Sequence, residues 1–121
     1  MAVVLIIDDS PTELHLFQNM LENAGFNTLV ADSGEEGLKS ARLERPDCIL
    51  MDVEMPGMNG FQATRQLTKD PMTASIPVIM ITTKDQETDK IWGMRQGAVE
   101  YLVKPVADKD LVAMINKVMA D

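Results

Sequence analysis

The chain has 121 residues, 45% of them hydrophobic, with a net charge of -8 and an isoelectric point near 4.5. That length fits one domain built on a single core. The acidity argues against partners such as nucleic acid or an anionic membrane surface and suits a site for a cation. One cysteine excludes an internal disulfide, and Cys48 lies in an apolar run, where a small buried side chain is the default reading.

Val3 to Ile7 is apolar throughout and reads as a strand buried on both faces. It is too short for a signal peptide or a membrane span and has no basic flank, so the expected location is cytoplasmic. Asp8-Asp9 ends this strand. Ser10 as N-cap, Pro11 at the first helical position and Glu13 closing a capping box then open a helix carrying Leu14, Phe17 and Leu21. Gly25 stops it, and Phe26 to Ala31 reads as a second strand. Ser33-Gly34-Glu35-Glu36 repeats the capping pattern for a helix through Leu38 and Ala41 that Pro46 closes.

Cys48 to Met51 is the third strand, and it stops on Asp52. The turn material Met55-Pro56-Gly57-Met58-Asn59-Gly60 follows, with Asn59 as cap of a helix bearing Phe61, Thr64 and Leu67. Met51, Met55 and Met58 read as adaptable packing around that loop. Pro77 to Ile81 forms a fourth strand ending at Thr82-Thr83. The helix from about Asp85 to Gln96 is polar, with a stripe of Ile91 and Met94 and with Trp92 beside it, so it is expected to be the least firmly anchored. Val99 to Val103 is a fifth strand ending at Lys104-Pro105. The last helix has a strong stripe of Leu111, Met114, Ile115, Val118 and Met119.

Strands alternating with helices specify a doubly wound parallel sheet with right-handed crossovers. In such a sheet the carboxyl ends of all strands share one edge, where ligands bind. The polar residues delivered there are Asp8, Asp9, Asp52, Thr82 and Lys104. Carboxylates about 5 Å apart repel by about 3 kcal/mol per pair at an effective dielectric near 20. Such a cluster recruits protons or a cation, and Mg²⁺ is bound through one or two carboxylates plus water. Asp52 then has the chemistry of a phosphoryl acceptor, with Lys104 and Thr82 to contact the phosphoryl oxygens. His15, one helical turn away, reads as a surface residue.

With these residues in place the chain resembles the receiver domains of two-component response regulators over its full length, residues 1–121. The resemblance implies a flavodoxin-like (CheY-like) fold of five parallel strands in order 2-1-3-4-5 with five helices, as a single receiver domain without an output domain. It implies phosphorylation of Asp52 by a histidine kinase, here expected to be CheA-like. It further implies Mg²⁺ held by Asp9 and Asp52, by Asp8 mainly through water, and by the backbone carbonyl of Glu54. Lys104 would contact the phosphoryl group, with the Lys104-Pro105 peptide cis. Thr82 and Tyr101 would form the switch, and the face of helix four, strand five and helix five would bind a downstream protein. Glu54 and Lys84 are the positions that tune phosphoryl lifetime, and an ion pair between them across the pocket mouth is expected.

Three further stretches, Ser10 to Glu13, Gly60 to Asp70 and Thr82 to Lys90, are similar to single-domain regulators of type IV pilus twitching motility. The expected protein is therefore a regulator and not a conventional enzyme. One alternative is a phosphate sink that drains a sibling receiver. An aspartyl-phosphate phosphatase or phosphotransferase would use Glu54 as its second acid, but the loop after it looks like a receiver loop. A flavin carrier of the same topology would have to place phosphate beside Asp8-Asp9, and an adaptor that is never phosphorylated leaves the acidic site unexplained.

Overall fold

The computed structural model describes residues 2–120. It runs β1 (Val3–Ile7), α1 (Pro11–Asn23), β2 (Asn27–Ala31), α2 (Gly34–Glu44), β3 (Cys48–Met51), α3 (Gly60–Lys69), β4 (Val78–Thr82), α4 (Glu87–Gln96), β5 (Glu100–Val103) and α5 (Asp108–Met119). All strand pairs are parallel and the order is β2-β1-β3-β4-β5, as the resemblance implies. The three inner strands are the near-continuous apolar runs, whereas β2 and β5 lie at the edges and are more exposed.

Strand alternation splits the core into two clusters. Leu5, Ile7, Ile49, Met51, Val78 and Met80 face Leu38 and Ala41 of α2 and Ala63 and Leu67 of α3. Val4, Ile6, Cys48, Leu50, Ile79 and Ile81 face Phe17 and Leu21 of α1 and Leu111 and Ile115 of α5. Cys48 is fully buried, and burial pushes its thiol up to about 12, which agrees with a packing role. Met51 and Met55 are buried with Met58 packed against them, so these methionines do line the underside of the site loop.

Three local expectations are corrected. The first helix is capped by the Ser10 hydroxyl, which accepts from Glu13 N–H at 3.3 Å, but Glu13 does not return the bond. Asp8 Oδ1 takes the Ser10 N–H at 3.0 Å instead. In α2, Ser33 accepts from Glu36 N–H, while the Glu36 carboxylate faces Lys39 at 3.4 Å. The helix ends on a left-handed Arg45, one residue before Pro46. In α4 the predicted stripe faces water: Ile91 is 48% and Met94 45% exposed, and Gly93 and Gln96 are the residues buried. Gly93 presents its backbone to Met80 and the Tyr101 ring, so close approach of the helix replaces side-chain interdigitation. His15 is exposed and pairs with Asn19 at 3.2 Å.

Candidate functional site

Strand register brings the site together. Ile7 pairs with Met51, so Asp8 and Asp52, the next residues, emerge side by side. Asp52 N–H donates to Ile7 carbonyl at 2.9 Å and Lys104 N–H to Thr82 carbonyl at 2.9 Å, which extends the ladder beyond the strands. The loop after Asp52 folds back on the strand end. Gly57 supplies a left-handed turn at φ 73°, and Gly60 N–H donates to Val53 carbonyl at 2.9 Å. Asn59 then caps α3 with a full capping box, its side chain accepting from Gln62 N–H while Gln62 accepts from Asn59 N–H, both at 2.9 Å.

Asp8 and Asp52 are buried and Asp9 is exposed. Each offers one carboxylate oxygen, and these oxygens all lie within 4.8 Å of one another. Three hard anionic oxygens at this spacing, open to water on the Asp9 side, fit a small divalent cation. Burial first, and then the charge of Asp8, push the Asp52 carboxyl up to about 6 against the opposing pull of Lys104.

Lys104 Nζ lies 3.0 Å from Asp8 Oδ2, 3.1 Å from Glu13 Oε1 and 3.5 Å from Asp52 Oδ1. Asp52 is thus the most distant of these three carboxylates. Burial alone would lower the Lys104 ammonium, but bonds and charges from Asp8, Asp52 and Glu13 hold it above its ordinary value. The Phe17 ring lies 5.8 Å from Nζ. The Lys104-Pro105 peptide is cis.

Thr82 is fully buried, and its hydroxyl oxygen accepts from Lys84 N–H at 3.2 Å. A hydroxyl that accepts still has its proton to donate. The Tyr101 hydroxyl donates to Lys84 carbonyl at 2.8 Å, so Thr82 and Tyr101 grip opposite groups of one residue in the β4–α4 loop. Burial, followed by the charges of Asp89, Asp85 and Glu54, pushes the Tyr101 phenol up to about 12.

The expected Glu54–Lys84 ion pair does not form. Glu54 Oε1 accepts from the Thr83 hydroxyl at 3.0 Å, and Lys84 Nζ faces Asp89 at 3.9 Å. Asp89 also receives Gln86 N–H at the start of α4, so Lys84 is drawn toward a helix terminus already built to hold a carboxylate. Glu13, Phe17 and Thr83 were missed from the sequence. For Glu13 the signal was present: an aspartate two residues before the N-cap competes for the same N–H.

The family model of the response regulator receiver domain matches residues 4–116. The chain is 59% identical over 120 residues to protein PilH of Pseudomonas aeruginosa, covering 99% of both. It is 34% identical over 116 residues to the alkaline phosphatase synthesis transcriptional regulatory protein PhoP of Bacillus subtilis, covering 96% of this chain but 48% of that relative. It therefore spans about half of PhoP. The solved chemotaxis protein CheY4 of Vibrio cholerae superposes with a TM-score of 0.92 at 33% identity, over 98% of both chains. The receiver domain of sensor histidine kinase PA1611 of Pseudomonas aeruginosa, solved with a magnesium ion coordinated in its active site cleft, gives 0.92 at 25% identity, over 99% of this chain and 98% of that one. By sequence, fold and the acidic edge described above, the chain belongs to the response regulator receiver domain family.

Proposed function

We propose that Asp52 accepts a phosphoryl group from a histidine kinase and that the change is read by a partner protein. The observation that carries this reading is a buried carboxylate beside Asp8 with a lysine ammonium at 3.5 Å, all at the carboxyl edge of a parallel sheet. A carboxylate oxygen of Asp52 forms a bond to phosphorus while the bond from phosphorus to the donor imidazole nitrogen breaks. The imidazole keeps that electron pair and takes up a proton. Hydrolysis by water later returns the carboxylate and inorganic phosphate, so the protein is consumed and restored as a signal and is not a conventional enzyme.

Asp8, Asp9 and Asp52 would hold Mg²⁺, with the Glu54 carbonyl as a further ligand. When bound, the ion neutralises the carboxylates and the incoming phosphoryl charge. Lys104 orients one phosphoryl oxygen, and the Thr82 hydroxyl donates to another. Because Lys84 is held by both Thr82 and Tyr101, movement of Thr82 toward a phosphoryl group disturbs the Tyr101 contact. That carries the change to α4 and β5. There Ile91, Trp92, Met94 and Val99 are each at least 40% exposed, an apolar face suited to a downstream partner. Glu54, the acid a phosphatase would need, has its carboxylate engaged by Thr83, which lends that alternative no support.

Similarity to PilH at 59% identity supports a role in type IV pilus twitching motility, in the cytoplasm, with a CheA-like kinase as phosphodonor. No helix among the described residues is long and apolar enough to cross a membrane. The test is phosphotransfer from candidate histidine kinases in the presence of Mg²⁺. Wild type is expected to be labelled and Asp52→Asn not; undiminished labelling of the variant would overturn the assignment. Whether the phosphorylated form acts as an output or drains a sibling receiver is read by adding that sibling to the same reaction.

A further inference from the structure

Glu13 has a position that helix capping does not explain. At N3 of α1 its local partner would be the Ser10 N–H, which Asp8 Oδ1 already occupies. Its carboxylate turns instead to Lys104, at 3.1 Å, closer than Asp52 at 3.5 Å. An ammonium has three N–H donors. Asp8, Glu13 and Asp52 all lie within 3.5 Å of it and compete for those donors. Asp8 is tied twice, to Ser10 N–H through Oδ1 and to Lys104 through Oδ2. Glu13 is tied once, on a longer side chain that is 29% exposed.

We propose that Glu13 is a positioning residue that competes with a phosphoryl group on Asp52 for the Lys104 ammonium, and so favours the phosphoryl-free protein. This rests on the reading of Asp52 as the phosphoryl acceptor. A phosphoryl group carries more negative charge than the carboxylate it modifies and draws an ammonium donor toward itself. The contact that yields is the ion pair at the solvent edge, the one with Glu13. Glu13 then faces added negative charge without its counterion. Glutamine keeps the length of the side chain, removes its charge and so weakens both effects.

The test uses beryllofluoride, an analogue of the phosphoryl group, titrated by calorimetry into the intact chain with saturating Mg²⁺. Glu13→Gln is expected to bind it about fivefold more tightly than wild type, the size of one partly screened charge contact. Glu13→Asp keeps the charge but is one methylene too short to reach Lys104, and it is expected to move toward the glutamine value. Unchanged affinity in Glu13→Gln would overturn the inference. So would tightening in Glu13→Gln with Glu13→Asp equal to wild type, because the effect would then be one of net charge. Failure of wild type to bind beryllofluoride at all would overturn the phosphoryl-acceptor reading, and this inference with it.

Discussion

At the scale of single residues, Asp52 is held in a state that costs stability. Its carboxyl titrates near 6 in the folded chain and near 3.8 when unfolded, so ionisation is disfavoured by folding. A raised carboxyl helps the fold below the unfolded value and loses that contribution as pH rises through the folded value. In metal-free buffer, Asp52→Asn should therefore be more stable than wild type at pH 8. At about 1.4 kcal/mol per pH unit, reduced for solvent at the pocket mouth, the gain is about 1–2 kcal/mol. It should shrink as pH falls from 6 toward 4, which denaturant melts across that range will check; a gain that does not change with pH would refute this account of the burial. Asp8, Asp9, Asp52, Thr82 and Lys104 were legible in the sequence because each lies at or just past the end of a strand, and parallel register aligns strand ends. The partners of Glu54 and Lys84 were not legible, and for Glu13 the sequence could show only that Asp8 contests its capping bond, not that Lys104 takes its carboxylate. Those side chains choose among several nearby groups, and which groups are near is decided only by the packed fold.

At the scale of elements, the junction from β3 to α3 leaves no freedom at position 60. A Cβ there would run into the carbonyl of Asp52 and the Cα of Val53. Backbone on both sides prevents the relief that a flexible side chain would give. Gly60→Ala should lose about 3 kcal/mol of stability and, because the obstruction is the carbonyl of Asp52 itself, should also slow the proposed phosphorylation of that residue. Thermal melts and labelling rates measured on the same sample test both, and a wild-type melting temperature would contradict this packing. α4 was read from its sequence as poorly anchored, and that reading identified the wrong face as buried. Ile91 and Met94 looked like a core stripe because apolar residues at helical spacing usually are. The helix seats itself through Gly93 and Gln96 instead, a contact that hydrophobic periodicity does not register.

At the scale of the whole molecule, a cation held at the acidic edge would couple metal binding to folding. A cation that binds the native cluster and not the unfolded chain stabilises by mass action. With Mg²⁺ at ten times its dissociation constant the gain is about 1.4 kcal/mol, or roughly 5 °C in melting temperature for a domain of this size. Asp9→Asn, on the open side of the cluster, should reduce that rise, and calorimetric scans with and without Mg²⁺ will measure it. No rise in wild type would count against the cation site. The fold itself was legible from strand and helix alternation, but the strand order was not, since periodicity within a segment carries no information about its neighbours.

The sheet also divides the chain's history of synthesis. The cluster beneath α1 is closed by Leu111 and Ile115 of α5, which follows the other described elements in the chain, whereas α2 and α3 are separated from the strands they cover by less sequence than separates α5 from α1. A nascent chain therefore displays Phe17 and Leu21 to its surroundings until α5 has been made. The residues beside the acidic site on that flank, Glu13 and Phe17, ride on the same unfinished helix. The acidic site can therefore take up the packing described above only after α5 has been made.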